Sequence, residues 1–433
     1  MALTATRIED SDLRSPDEFD ALDPSTVGEP YPYYAALREQ APVYKIPETD
    51  VYFVSKRNLI EEVLERHNYF SANLTGVLMT GADGKPEVFD LLALGAAVDA
   101  IANADEPFHA VHRKLVMPGL TPTAVNAMEP VLRDWAVAHL EPLIAEGRGD
   151  WVRSVANPIP ARAIASVVGL PIEDADRLLD WAMAGTEILA GTTTHERMAQ
   201  VAVQSGEMAV YLDEHLQRAI AAPVATSLYT SLAAPSPGVL GELARGVHQG
   251  LVSESDAVGI LIVLVGAGGE STSSLVGNAV RMLAERPDLQ AELRANPVLI
   301  DDFIEEALRL ESPFRGHYRA VKRDVTLGGI ELPEGSHLLL LWAAANRDPE
   351  NFEDPNSINI RRVRQREHLA FGRGTHFCVG ARLARLEARI VLEELLARTS
   401  DFSLNPQRQP TYVPSIFVRR HSEIELIVEG RSG

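Results

Sequence analysis

The sequence predicts a mainly α-helical chain with small β-sheets, on three observations. Between Glu129 and Ile220, apolar residues such as Val131, Leu132, Trp135, Leu140 and Leu143 recur at three- and four-residue steps, the spacing of one helix face. Ser253 and Asp256 form a capping box that opens a long helix, expected to run to about Glu285 and to stop before Arg286 and Pro287. Strand-like segments are few and short.

Along the chain, residues 1–25 are polar and acidic and are expected to form a flexible N-terminal segment. PVYKI (42–46) and VYFVSK (51–56) read as strands. After the helical stretch, the small-residue and proline run at 221–238 predicts a loop. Beyond the long helix come DVTLGGIEL (324–332) with a Gly-Gly turn, SHLLLLW (336–342), and the C-terminal pair SIFVRR (415–420) and EIELIVE (423–429). There are no internal repeats and no tails of like charge.

The 433 residues are 46% hydrophobic, enough for a sizeable core, and the length allows either one large domain or two to three ordinary ones. Lys and Arg number 40 against 61 Asp and Glu, a net charge of -21, which argues against nucleic acid as a partner. A lone cysteine excludes an internal disulfide and a cysteine-rich zinc cluster, and fits a reducing, cytoplasmic setting. The acidic N-terminus has no signal-peptide or transit-peptide pattern. The most apolar run, 257–268, is too short to cross a bilayer and is soon followed by Glu270, so no membrane anchor is expected.

That cysteine, Cys378, sits in FGRGTHFCVG (371–380), directly before a helical run. At a helix N-terminus, free backbone N–H groups and the helix dipole favour a thiolate. Gly372, Gly374 and Gly380 permit backbone conformations closed to other residues and let a large flat object approach the main chain. From these residues alone, Cys378 is a buried core cysteine, a nucleophile or a metal-ligating thiolate. A cysteine hydrolase using His376 is disfavoured, since a base two residues away on the same loop is poorly placed.

The whole string resembles the haem-binding loop of cytochrome P450 monooxygenases, with every fixed position met by Phe371, Gly372, Gly374, His376, Cys378 and Gly380. The resemblance continues through HAVHRKLVMPGLTP, AGGEST, EEALR, YRAVKRDVTLGGIELPEGS and AANRDPENFEDP, in the family's order, and is closest to soluble bacterial, particularly actinobacterial, members. It implies one domain over 1–433, a helical body with the long central helix over the haem, and haem b (iron protoporphyrin IX) as cofactor. Cys378 would be the axial thiolate ligand of the iron, favouring O–O cleavage. His109, Arg113, Arg319 and His376 match the positions that bind the haem propionates.

Ala267, Gly268 and Gly269 supply small side chains where a helix passes over the haem. Glu270, Ser271 and Thr272 follow, where the family usually has an acid and then threonine; either hydroxyl could hydrogen-bond dioxygen or a water, with Glu270 passing protons inward. Glu306 and Arg309 match the Glu-x-x-Arg signature and are expected to hold the haem-loop region as a structural pair. The family often completes that network with an arginine where this chain has Ser357, leaving Arg361 or Arg362 as substitutes.

By the same resemblance, the substrate pocket is lined by Leu74, Val77, Leu78 and Met79, by Val265 to Glu270, by Phe314, Gly316 and His317, and by Ile416 and Phe417. Arg315 or His317 either meets an oxygen-rich substrate group or makes structural hydrogen bonds. No G-x-G-x-x-G follows a strand, and the chain ends 55 residues after Cys378, so no fused flavin or nicotinamide domain is expected. Electrons would come from a ferredoxin or flavodoxin with its NAD(P)H-dependent reductase. Arg382, Arg385 and Arg389, with Arg373 and Lys114, form either its dock or a solvated helix face. The expected function is a monooxygenase that inserts one atom of O2 into a small apolar organic molecule. A haem-thiolate enzyme using peroxide or performing oxidative coupling, and a non-catalytic haem sensor or carrier, are the alternatives; Glu270 and Ser271 argue against the sensor.

Overall fold

The computed structural model describes residues 14–92, 99–222, 238–363 and 365–431. Its centre is the helix Glu254–Ala284, capped as expected by the reciprocal bonds of Ser253 and Asp256. At about 1.5 Å per residue it spans roughly 46 Å. Leu275, Val276, Ala279, Val280 and Leu283 are buried, joining the largest hydrophobic cluster. The helices Pro158–Val168, Ala175–Glu187 and His195–Ala221 pack around it. A Cβ on Gly268 would lie 2.7 Å from Ile164, and one on Gly269 3.2 Å from Leu179, so these glycines also let neighbouring helices approach. By length and composition this helix could cross a membrane, yet 56% of its apolar window is buried inside the protein.

A five-stranded sheet forms the second body of the fold, in the order Val43–Lys45, Val51–Val54, His337–Leu340, His317–Val321 and Phe70–Ser71. The first two strands lie within PVYKI and VYFVSK, and DVTLGGIEL forms the hairpin Val325–Leu327 with Ile330–Leu332. In His317–Val321, alternation sends His317 and Arg319 to one face and Tyr318 to the other, where its hydroxyl accepts from Leu78 N. EIELIVE supplies most of the strand Glu425–Gly430.

Three expectations change. Of residues 1–25, 1–13 lie outside the described residues, but 14–25 are not loose: Asp23 caps the helix Pro24–Gly28, and Ala21, Leu22 and Val27 are buried against Tyr33, Leu339 and Ile416. SIFVRR is not a strand, because the Ser415 hydroxyl accepts from Phe417 N and Val418 N and coils the segment, leaving one bridge from Val418 to Phe314. The segment around Met79 is half of a hairpin, Gly76–Thr80 with Pro86–Asp90, that the strand reading missed. Of the expected loop, 223–237 lie outside the described residues, and the helix Gly238–His248 begins directly after.

Gly316 is where the cavity wall meets the sheet most tightly: a Cβ there would stand 2.5 Å from the backbone carbonyl of Leu340. Gly316→Ala is therefore expected to destabilise the protein by about 2–3 kcal/mol, read as a lowered denaturant midpoint with an unchanged slope.

Candidate active site

The elements converge on a cavity of about 200 Å³, more than ten times the volume that one water needs, about 10–15 Å³. One wall is the cysteine loop. Gly372 and Gly374 adopt φ of 67° and 71°, closed to most side chains. Cys378 N donates to Phe371 O at 2.9 Å, closing the loop, and the helix Ala381–Arg398 follows. The helix start does not make Cys378 a free thiolate: burial pushes the thiol up, and the N–H groups of Gly380 and Ala381, with Arg385 and Arg113, oppose it only in part. A metal ion on the cavity side deprotonates a coordinating thiol outright.

The opposite wall is the central helix, which presents Ala267, Gly268, Ser271 and Thr272. Ser271 Oγ donates to Ala267 O at 2.6 Å, so this hydroxyl is satisfied locally. Glu270 is not part of the wall. It is 2% exposed and turned away, paired with Arg420 at 2.7 Å and accepting from Thr186 Oγ1. Burial nonetheless pushes its carboxyl up. Neither Arg420 nor Thr186 belongs to a motif, and only the fold brings them here.

Two arginines make one side of the cavity cationic. His109, Arg113, Arg319 and His376 all line it, with His376 neutral because burial lowers it to about 3. Arg319 is buried, and its hydrogen bond goes to its own neighbour, Tyr318 O, at 2.7 Å. Burial lowers it to about 10. Arg113 donates to Phe377 O at 2.8 Å, and His376 packs tilted against His109 with ring centroids 4.1 Å apart, its Nδ1 without a partner among the described residues. Among the described residues no acid pairs with Arg113 or Arg319. A thiol beneath, small residues above and unpaired cations at the side fit a flat metal cofactor with two carboxylates. Phe371, Gly372 and Gly380 complete the loop wall. The sequence reading missed Glu387, which also lines the cavity, is 2% exposed, has no partner for Oε2 among the described residues, and is pushed by burial to about 8.

The loop rests on two ion networks. Glu306 takes Arg309 through both oxygens at 2.8 Å, Arg362 Nε at 3.1 Å and Asn359 N at 2.9 Å. Arg362 is thus the substitute, while Arg361 reaches Glu292 instead. Beside it, Glu305 bridges His368 and Arg385, and those partners hold its carboxyl down at about 2 against the cost of burial. Ala370 N donates to His368 Nδ1, so His368 is neutral and donates from Nε2.

The cavity lining differs from the expected substrate pocket. Phe314 and His317 line the cavity, but Leu74, Val77, Leu78 and Met79 do not: their hairpin packs on the N-terminal cluster. Val265 is buried in the helical core, and Gly316 closes on Leu340. Ile416 lines a separate small cavity, and Phe417 backs Phe314 at 4.9 Å without reaching the main one. The apolar lining comes instead from Leu64, Ile101, Ala102, Ile164, Val263 and Leu264, together with Trp342. Burial lowers His317 to about 3, so its imidazole is neutral. The basic patch is also thinner than expected, because Arg373 pairs with Glu61, Arg385 with Glu305, and Arg389 with Glu129 and Glu393. Arg382 and Lys114 remain exposed.

This architecture is that of a haem-thiolate protein. The Cytochrome P450 family profile matches residues 243–428. The chain is 41% identical to Cytochrome P450 144 of Mycobacterium tuberculosis over 408 residues, covering 93% of this chain and 90% of that protein. It is 32% identical to Cytochrome P450 130 of the same organism, over 90% of this chain and 93% of that one. Among solved structures, CYP109E1 from Bacillus megaterium in complex with testosterone superposes with a TM-score of 0.78 at 30% identity, covering 94% of this chain and 99% of that one. The chain belongs to the cytochrome P450 family; it is an oxidoreductase, a monooxygenase whose cofactor is haem b.

The buried network carries a quantitative expectation. Glu306→Ala leaves Arg309 and Arg362 without their carboxylate and is expected to cost about 3–5 kcal/mol, with haem content falling in parallel. Arg362→Gln, which leaves the Glu306–Arg309 pair intact, costs less by thermal denaturation and by the haem-to-protein absorbance ratio.

Proposed function

We propose that this enzyme inserts one oxygen atom of O2 into a C–H bond or double bond of a small, largely apolar molecule. The observation that carries the reading is the Cys378 thiol on one wall of the cavity, with Ala267, Gly268 and Ser271 on the other. Cys378 ligates the iron, His109, Arg113, Arg319 and His376 take the propionates, and Phe371, Gly372 and Gly380 seat the thiolate face. Bound there, haem b supplies the iron that activates dioxygen, and thiolate ligation favours O–O cleavage.

Ala267 and Gly268 leave room above the cofactor. Ser271 Oγ, now donating to Ala267 O, can turn inward to hold a water, and Thr272 lines the same space. Glu270 is the proton source behind them, and Arg420 and Thr186 hold it in place. Its attachment to Arg420, away from the cavity, is also the observation that favours a second reading, in which the enzyme uses peroxide and needs no proton relay.

The lining supports an uncharged substrate. Neutral His317, framed by Phe314, Phe417 and Trp342, offers one hydrogen bond, suited to a hydroxyl or carbonyl rather than a carboxylate. A separate ferredoxin or flavodoxin with its NAD(P)H-dependent reductase delivers electrons, in the cytoplasm, to the thiolate face, where Arg382 and Lys114 are exposed.

Ser271→Ala is expected to divert electrons to peroxide several-fold more than the wild type, measured as hydrogen peroxide released per NAD(P)H consumed with substrate present. An unchanged ratio, together with full turnover on added peroxide, favours the peroxide reading. Arg382→Glu combined with Lys114→Glu is expected to slow reduction by ferredoxin about tenfold at low salt in stopped-flow, with substrate affinity unchanged.

A further inference from the structure

Arg315 lies on the segment that walls the haem cavity, but its side chain turns the other way. It enters a separate cavity of about 10 Å³, also lined by Tyr33, Tyr34, Phe53, Leu339 and Ile416. The guanidinium is 1% exposed. Nη1 donates to Val27 O at 2.7 Å, and Tyr34 is hydrogen-bonded to the group. Nε and Nη2 have no partner among the described residues, nor does the hydroxyl of Tyr33 on the same cavity. The charged or titratable neighbours acting on it most strongly are Tyr34, Arg419 and Tyr31; none is an acid, and Arg419 repels it.

An arginine does not give up its proton in a protein, so burial cannot neutralise this one. A buried cation without a counter-charge is strongly destabilising. Arg319, four residues on, is also a buried guanidinium without an ion pair among the described residues, and there the haem cavity accounts for it. The cavity at Arg315 has space for about one water-sized sphere, which excludes a carboxylate-bearing molecule, a phosphate or a sulfate. Its polar lining is the Arg315 guanidinium with the hydroxyl-bearing side chains of Thr26, Tyr33 and Tyr34, and the fixed positive charge disfavours a metal cation beside it.

We propose that Arg315, Tyr33 and Tyr34 form an internal site for one monatomic anion, chloride. A water would satisfy the free donors but leave the charge uncompensated, whereas a halide does both. Arg315 Nη1 holds the Val27 carbonyl, and the bound ion ties the helix Tyr31–Gln40, through Tyr33 and Tyr34, to the cavity wall, because Ile416 closes the anion cavity and the adjoining Phe417 packs on Phe314 at 4.9 Å.

The test is thermal unfolding of the holoenzyme at constant ionic strength while sodium chloride replaces sodium gluconate. The wild type is expected to gain about 2 °C per tenfold rise in chloride above the dissociation constant. Arg315→Gln is expected to lose that dependence, and Tyr33→Phe to weaken it. Crystals soaked in bromide are expected to show an anomalous peak between Arg315 and Tyr33. Equal melting temperatures in the two salts, with a water and no bromide peak at the site, would overturn the proposal. Should Arg315→Gln fail to fold, the bromide peak in the wild type and the response of Tyr33→Phe decide the question.

Discussion

Burial without a partner is the constraint on which this site depends. The Cys378 thiol, the Arg319 guanidinium and His376 Nδ1 gather around one cavity; Arg385 and Arg113 offset the thiol's burial only in part, and among the described residues no acid is ion-paired with Arg319 and His376 Nδ1 has no partner. The glutamates behind the loop are by contrast fully paired: Glu306 has two arginines and a backbone N–H, and Glu305 has an arginine and a histidine. Unmet demand gathered around the large cavity describes a missing ligand in negative: a cation for the thiol and acids for the guanidinium groups. Haem b has both.

The two glutamates explain how the thiol is held. Glu305 and Glu306 are consecutive on the helix Ile300–Leu310 and reach different elements: Glu305 grips Arg385 on the helix behind Cys378 and His368 ahead of the loop, while Glu306 grips Arg309 and the 359–362 segment. Arg385 also lies over the Phe371 ring at 4.4 Å, so the loop is clamped from its packed side while Cys378 faces the cavity. Rigidity on one side and unmet demand on the other place the sulfur where a metal can reach it.

Where function is written as a local motif, the sequence was legible. The Cys378 loop, the His109 and Arg113 pair and the capping box at Ser253 are short-range patterns, and the structure brings the first two to one cavity. Contacts between distant segments were not legible. The partners of Glu270 come from residues 84 positions before it and 150 after it. Arg361 and Arg362 are equivalent in sequence, and only the chain's path sends one inward to Glu306 and the other outward to Glu292. The residues around Met79 were misplaced because their strand pairs locally with Pro86–Asp90 and buries its apolar side against the N-terminal cluster. SIFVRR has strand-like composition, yet a single hydroxyl, that of Ser415, takes the N–H groups a strand would have used.

The central claim is that Cys378 is the iron ligand, and the most direct test is the absorption spectrum of the dithionite-reduced protein under carbon monoxide, with Cys378→Ala measured alongside. The account predicts the long-wavelength Soret band of a thiolate-ligated ferrous carbonyl in the wild type and its loss in the variant. A folded wild type that takes up no haem, or a variant that keeps the same band, would contradict it.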